Sequence, residues 1–129
     1  MAILGAIMKS IMQKQEHLQS LIQPDLTKAI IAGEVCERIK ATAFYLSQEV
    51  VELVEEIGGG RDINKPWKKS YEQLFNSPVN ITQHTKGESM DVLCFALNIC
   101  LLAGITSDNI DIEYEAVYQK NLKRVQDGY

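Results

Sequence analysis

Apolar side chains at Ile3, Ile7, Ile11, Leu18 and Leu21/Ile22 return at the steps that one face of an α-helix requires, until Pro24 interrupts them. The pattern predicts a first helix ending near that proline, with Asp25 or Thr27 placed to cap the next. Val35, Ile39, Leu46, Val50, Leu53 and Ile57 then mark the face of a second helix of about 30 residues, in one piece or two segments. Gly58-Gly59-Gly60 ends it, because glycine turns left-handed without steric cost. Residues 61–86 are polar and carry Pro66 and Pro78, which predicts a connection of the kind that serves as a flexible lid, with one short helix near Trp67 to Phe75. A third long helix is expected from about Thr85 to Ala103, stopped by Gly104. Ser107 or Asp108 would cap a fourth that runs close to the C-terminus. No stretch alternates in the manner of paired strands, and no internal repeat is evident. The expected fold is all-α, a bundle of four or five helices, in one domain spanning residues 1–129.

Composition narrows the function classes without choosing one. A hydrophobic share of 46% with a formal charge of −4 is that of an ordinary globular protein, not of a basic binder of nucleic acid polymers. Cys36, Cys94 and Cys100 are an odd number in apolar surroundings with no C-x-x-C spacing, so they read as small core residues in a reducing cytoplasm. The apolar run from Met1 to Met12 is broken by Lys9 and lacks a signal-peptide cleavage pattern. No other stretch is long enough to span a membrane, and a cytoplasmic location is the expectation.

The acidic residues change the picture. At 100° per residue, with Leu53 at the centre of the apolar face, Glu49, Glu56 and Glu52 fall at about −40°, −60° and −100°. They form a stripe bordering the core, whereas Glu55, at about 200°, points to solvent. On the third helix Leu93, Leu97 and Cys100 share one side, and Glu88, Asp91, Phe95, Asn98 and Leu102 the other. A helix apolar on both sides is normally buried, and buried carboxylates cost several kcal/mol each unless they are compensated. Glu49-x-x-Glu52 and Glu88-x-x-Asp91 are therefore candidates to share a hard cation, with Glu56 a further acid on the stripe; the ordinary alternative is a solvated acidic face. A di-iron bundle would need Glu-x-x-His, which neither His17 nor His84 completes, and neither histidine has a sequence partner that nominates it for catalysis. Oxygen ligands alone point to magnesium, or manganese in its place, and so to phosphate chemistry.

Glu49-x-x-Glu52-Leu53, Trp67-Lys68, Glu88-x-x-Asp91-Val-Leu-x-Phe95, Lys120-Asn121-x-x-Arg124 and the final Gly128-Tyr129 occur in an order and spacing that resembles the all-α nucleoside triphosphate pyrophosphatases. That superfamily contains MazG-like enzymes, phosphoribosyl-ATP pyrophosphatases, dimeric dUTPases and phage dCTPase/dUTPase enzymes, and the resemblance runs over roughly residues 10 to 129. It implies that Glu49, Glu52, Glu88 and Asp91 hold magnesium for a nucleoside triphosphate substrate, and that Gln15 and Asn98 help to recognise the base. Trp67-Lys68 and the Arg-x-x-x-Gly-Tyr ending resemble the dimeric dUTPase branch, which implies a homodimer or dimer of dimers. Gln19 and Val125 depart from that branch, leaving a broader pyrimidine or house-cleaning specificity open.

On this reading Glu49 activates water and the other acids bind metal, giving a monophosphate and pyrophosphate. Lys120 and Arg124, one turn apart, can meet phosphate oxygens, although cations are ordinary near a helix C-terminus. Lys68 reads as a phosphate contact or a solvated side chain, and Trp67 as a nucleotide cover or a core anchor. Asn121 and Tyr129 are further nucleotide contacts by resemblance, Tyr129 by stacking unless the terminus frays. Two other classes stay open: a non-catalytic nucleotide-binding helical protein, and a purely structural bundle whose acids are indifferent to magnesium.

Overall fold

The computed structural model describes residues 2–26, 28, 31–58, 65–78 and 81–128. Five helices follow one another: α1 (Ala2–Ile22), α2 (Ala32–Gly58), α3 (Lys69–Phe75), α4 (Gln83–Leu102) and α5 (Ile110–Gln126). Among the described residues there is no strand, so the fold is all-α, and none of the helices is long and apolar enough to cross a membrane.

Residues gather into two compact units, Met1–Ile39 with Leu97–Tyr129, and Lys40–Ala96. In the first, Met12, Leu97, Leu101 and Ile110 form a buried core, with Met8, Ile11, Cys100 and Ile105 packed against it. Helix α1 therefore uses the side that carries Met8 and Met12. Of its periodic isoleucines and leucines, Ile11 packs against that core, while Ile3, Ile7, Leu18, Leu21 and Ile22 are exposed. Gly5 lets α5 approach: a Cβ there would sit 3.1 Å from an Asp111 carboxylate oxygen. In the second unit the Tyr45 and Phe95 rings join α2 to α4 at 6.2 Å between centroids. There the α2 face is only partly covered, with Val50, Val51, Val54 and Ile57 exposed.

The expected stop at Gly104 has a physical form. Its φ is +85°, the Ile105 N–H donates to the Cys100 carbonyl at 2.9 Å, and the Gly104 N–H donates to the Leu101 carbonyl at 3.0 Å. This is a Schellman ending that feeds Ile105 back to the core. Of the three glycines expected to end the second helix, Gly58 closes α2 and the other two lie outside the described residues.

The predicted caps were placed differently. Asp25 lies in a turn ahead of Ala32 and pairs with Lys28 at 3.1 Å, while its carbonyl and that of Leu26 accept from the Arg38 guanidinium; Thr27 is outside the described residues. Ser107 does not cap α5, because its N–H and hydroxyl both donate to Glu16, at 2.7 and 3.0 Å. Asn109 takes the cap position without a side-chain cap bond; its amide instead spans the turn, accepting from the Thr106 N–H and donating to the Gly104 carbonyl. Helix α4 starts two residues earlier than expected, because Thr82 accepts the Thr85 N–H at 3.1 Å while the Thr85 hydroxyl accepts the Thr82 N–H at 3.4 Å. That reciprocal pair is a capping box with threonine in the glutamate's place.

Among the described residues Met12 is the largest fully buried side chain. Met12→Ala is expected to lower unfolding free energy by about 2–5 kcal/mol, and Thr82→Ala by about 1 kcal/mol, both read from urea denaturation midpoints.

Candidate functional site

Helix α2 places Glu49 and Glu52 on one edge because residues three apart neighbour each other on a helix, and α4 brings Glu88 against them. One carboxylate oxygen from each of the three lies within 4.8 Å of the others. The donor set, oxygen only and triply negative, fits a hard divalent cation such as magnesium or manganese.

Exposure differs among the acids. Glu49 is half-buried, Glu88 is 16% exposed, and Glu52 and Asp91 are exposed. The expectation of buried carboxylates is thus corrected: the stripe lies at the rim of the packed helices, where water reaches it. Burial pushes the Glu49 carboxyl above its ordinary 4.5, and the charges of Glu52, Asp91 and Glu88 add to the shift in that order. Asp91 stands outside the tightest three and still acts on Glu49 through its charge. Glu55 is exposed, as the helical angle predicts.

A histidine also belongs to this edge. His84 Nε2 lies 3.3 Å from Glu88 and 3.7 Å from Glu56. The signal was present in the i,i+4 spacing of His84 and Glu88, since side chains four apart on a helix meet. When protonated, its imidazole offsets part of the acidic charge.

The other sequence candidates lie apart from the acids along the chain. Gln15 and Asn98, 5% and 8% exposed, bond to each other in the first unit, the Gln15 amide donating to the Asn98 carbonyl oxygen at 2.7 Å. Trp67 is 77% exposed in the turn before α3, which rules out a core anchor; with Pro66, Lys68, Lys69, Tyr71 and Glu72 it lines a shallow depression. Lys120, Asn121 and Arg124 are exposed on α5. Tyr129 lies outside the described residues.

Cys36 is exposed, contrary to the core reading, while Cys94 and Cys100 are half-buried. Burial raises both of the latter thiols, Asp91 adding to the shift at Cys94, which disfavours the thiolate.

Comparison with protein-family models, curated proteins and solved structures found no match to this chain.

A carboxyl raised on folding binds its proton more tightly in the native state, so stability falls as pH rises from the ordinary value through the raised one. Glu49→Gln is therefore expected to melt at a higher temperature than wild type at neutral pH, with the difference shrinking as pH falls toward 4.5. A pH series of thermal melts checks the sign; a mutant less stable at neutral pH would contradict it.

Proposed function

We propose that this protein is a magnesium-dependent nucleoside triphosphate pyrophosphatase acting on pyrimidine deoxynucleotides, dUTP, dCTP or both. The observation that carries the reading is the convergence of Glu49, Glu52 and Glu88 from two helices. The order of the acidic, Trp-Lys and Lys-Asn-x-x-Arg motifs supports it through the resemblance of the sequence to the all-α pyrophosphatases.

In this account Glu52, Glu88 and Asp91 hold the cation. When bound, the ion neutralises the triphosphate and lowers the pKa of a coordinated water. Glu49 takes the proton of the attacking water; a carboxyl raised by burial and by neighbouring charge is a stronger base than an ordinary glutamate. His84, beside Glu88 and Glu56, positions these carboxylates. Water attacks one phosphorus, the bond to its leaving oxygen breaks, and the products are the nucleoside monophosphate and pyrophosphate.

One observation favours a second reading, a house-cleaning enzyme of broader base specificity. The amides of Gln15 and Asn98, which the resemblance would use to read a base, are buried and bonded to one another. A pair satisfied in this way is also an ordinary structural device.

Pyrophosphate release from a panel of triphosphates separates these readings. Turnover of dUTP or dCTP is expected with magnesium or manganese, to be lost with chelator, and to fall by about 10²–10⁴-fold in Glu49→Gln. Asp91→Asn should weaken magnesium activation. Equal turnover of purine and pyrimidine substrates would select the broader enzyme, and release from none would overturn catalysis.

A further inference from the structure

The trio of Glu49, Glu52 and Glu88 offers a cation oxygen alone, and His84 brings a nitrogen donor to its edge. His84 stands in the first turn of α4 and Glu56 in the last turn of α2, and both belong to the second unit with Glu88. His84 Nε2 lies 3.3 Å from Glu88 Oε1 and 3.7 Å from Glu56 Oε2. Both distances exceed the roughly 2.7–3.2 Å of an N–H···O hydrogen bond. They fall near the separation of two donors on one tetrahedral ion, which is about 3.3–3.6 Å for metal–nitrogen and metal–oxygen bonds of about 2.0–2.2 Å. One helical turn fixes His84 beside Glu88, and α2 presents Glu56 to the same nitrogen. The end of α2 gives a separate reason for a cation. Glu55 and Glu56 occupy its last turn, which holds no basic residue, so two carboxylates meet the negative end of the helix macrodipole. A surface ion pair is the ordinary use of a His-x-x-x-Glu spacing, but it needs one carboxylate and does not account for the second at the same nitrogen.

We propose that His84, Glu88 and Glu56 form a second cation site, one that takes a borderline divalent transition-metal ion of the zinc class. Imidazole nitrogen suits zinc and its neighbours, whereas magnesium is held by oxygen donors and keeps several of its waters. Three protein donors leave the fourth tetrahedral position to water. The side chains of His84 and Glu56 are 69% and 32% exposed, so an ion reaches them from solvent, and Glu88, at 16%, is the inner ligand. Glu88 also belongs to the acidic trio. Zinc at His84 therefore draws one ligand from the magnesium site, places a second double charge beside it and antagonises magnesium. That antagonism rests on the cation site of the proposed function, whereas the binding of zinc at His84 does not.

The test is a zinc titration of the full chain, free of magnesium and nucleotide, with the imidazole nitrogens followed by nuclear magnetic resonance. The chain has two histidines, and His17, in α1, is the internal control. Stoichiometric zinc is expected to move the His84 Nε2 resonance and to leave His17 in place. By calorimetry His84→Ala should raise the zinc Kd by about tenfold or more, since even groups that only support a metal ligand contribute that much. Glu56→Gln should raise it as well, both variants keeping the far-ultraviolet helical signal. With zinc bound, magnesium should bind about tenfold more weakly. Zinc that leaves the His84 nitrogens unmoved, moves both histidines alike, or binds His84→Ala as tightly as wild type would overturn the site. Magnesium affinity unchanged by zinc would overturn the antagonism. Because the zinc titration contains neither magnesium nor a triphosphate, its failure and the failure of the proposed function are told apart.

Discussion

Like-charge repulsion at the rim of the second unit is the constraint around which the rest is arranged. Side chains of one sign about 4 Å apart repel by roughly 1 kcal/mol per pair in water and roughly 4 kcal/mol where solvent is partly excluded. Glu49, Glu52 and Glu88 meet within 4.8 Å, and the Tyr45–Phe95 contact between α2 and α4 holds them near each other against that repulsion. Burial first, and then the charges of Glu52, Asp91 and Glu88, raise the Glu49 carboxyl. His84 Nε2 stands beside Glu88 at the start of α4, and the proposed divalent cation would offset the acidic charge. In the proposed function, a cation bound among these acids would bring a triphosphate to them.

The second theme is that these helices carry more apolar surface than the chain covers. Helix α1 turns Met8 and Met12 inward and leaves a row of isoleucines and leucines in solvent. Helix α2 does the same with its valines, and α5 does so along most of its length. Burial in the first unit rests on a small set of side chains around Met12, closed by the Schellman turn at Gly104 and by the Glu16–Ser107 bonds that tie α1 to the turn before α5.

Much of the helical layout was legible in the sequence, because three- and four-residue apolar spacing and the Pro24 and Gly104 interruptions are local signals. So was the pairing of Glu49 with Glu52, which one helix fixes. The meeting of these acids with Glu88 needed two helices, and the expectation of it came from their shared position beside apolar residues. Side-chain roles decided by competing hydrogen bonds were not legible. Ser107 reads as a cap until Glu16 is seen to take both of its donors, and Thr82 does not stand out because its partner is a threonine rather than a glutamate. His84 was missed although its spacing to Glu88 is local, because only the fold adds Glu56. Burial was the least legible: the periodicity around Val50 and Ile57 marks an apolar face but not whether anything covers it, and an isolated Trp67 gives no sign that it is exposed.

Manganese binding followed by nuclear magnetic resonance tests the central claim most directly, since the paramagnetic ion broadens signals only near where it sits. Substoichiometric manganese is expected to erase amide signals around Glu49, Glu52, Glu88 and Asp91 first, with magnesium in excess restoring them. Broadening centred elsewhere, or no binding at millimolar manganese, would contradict the assignment of these carboxylates as the cation site.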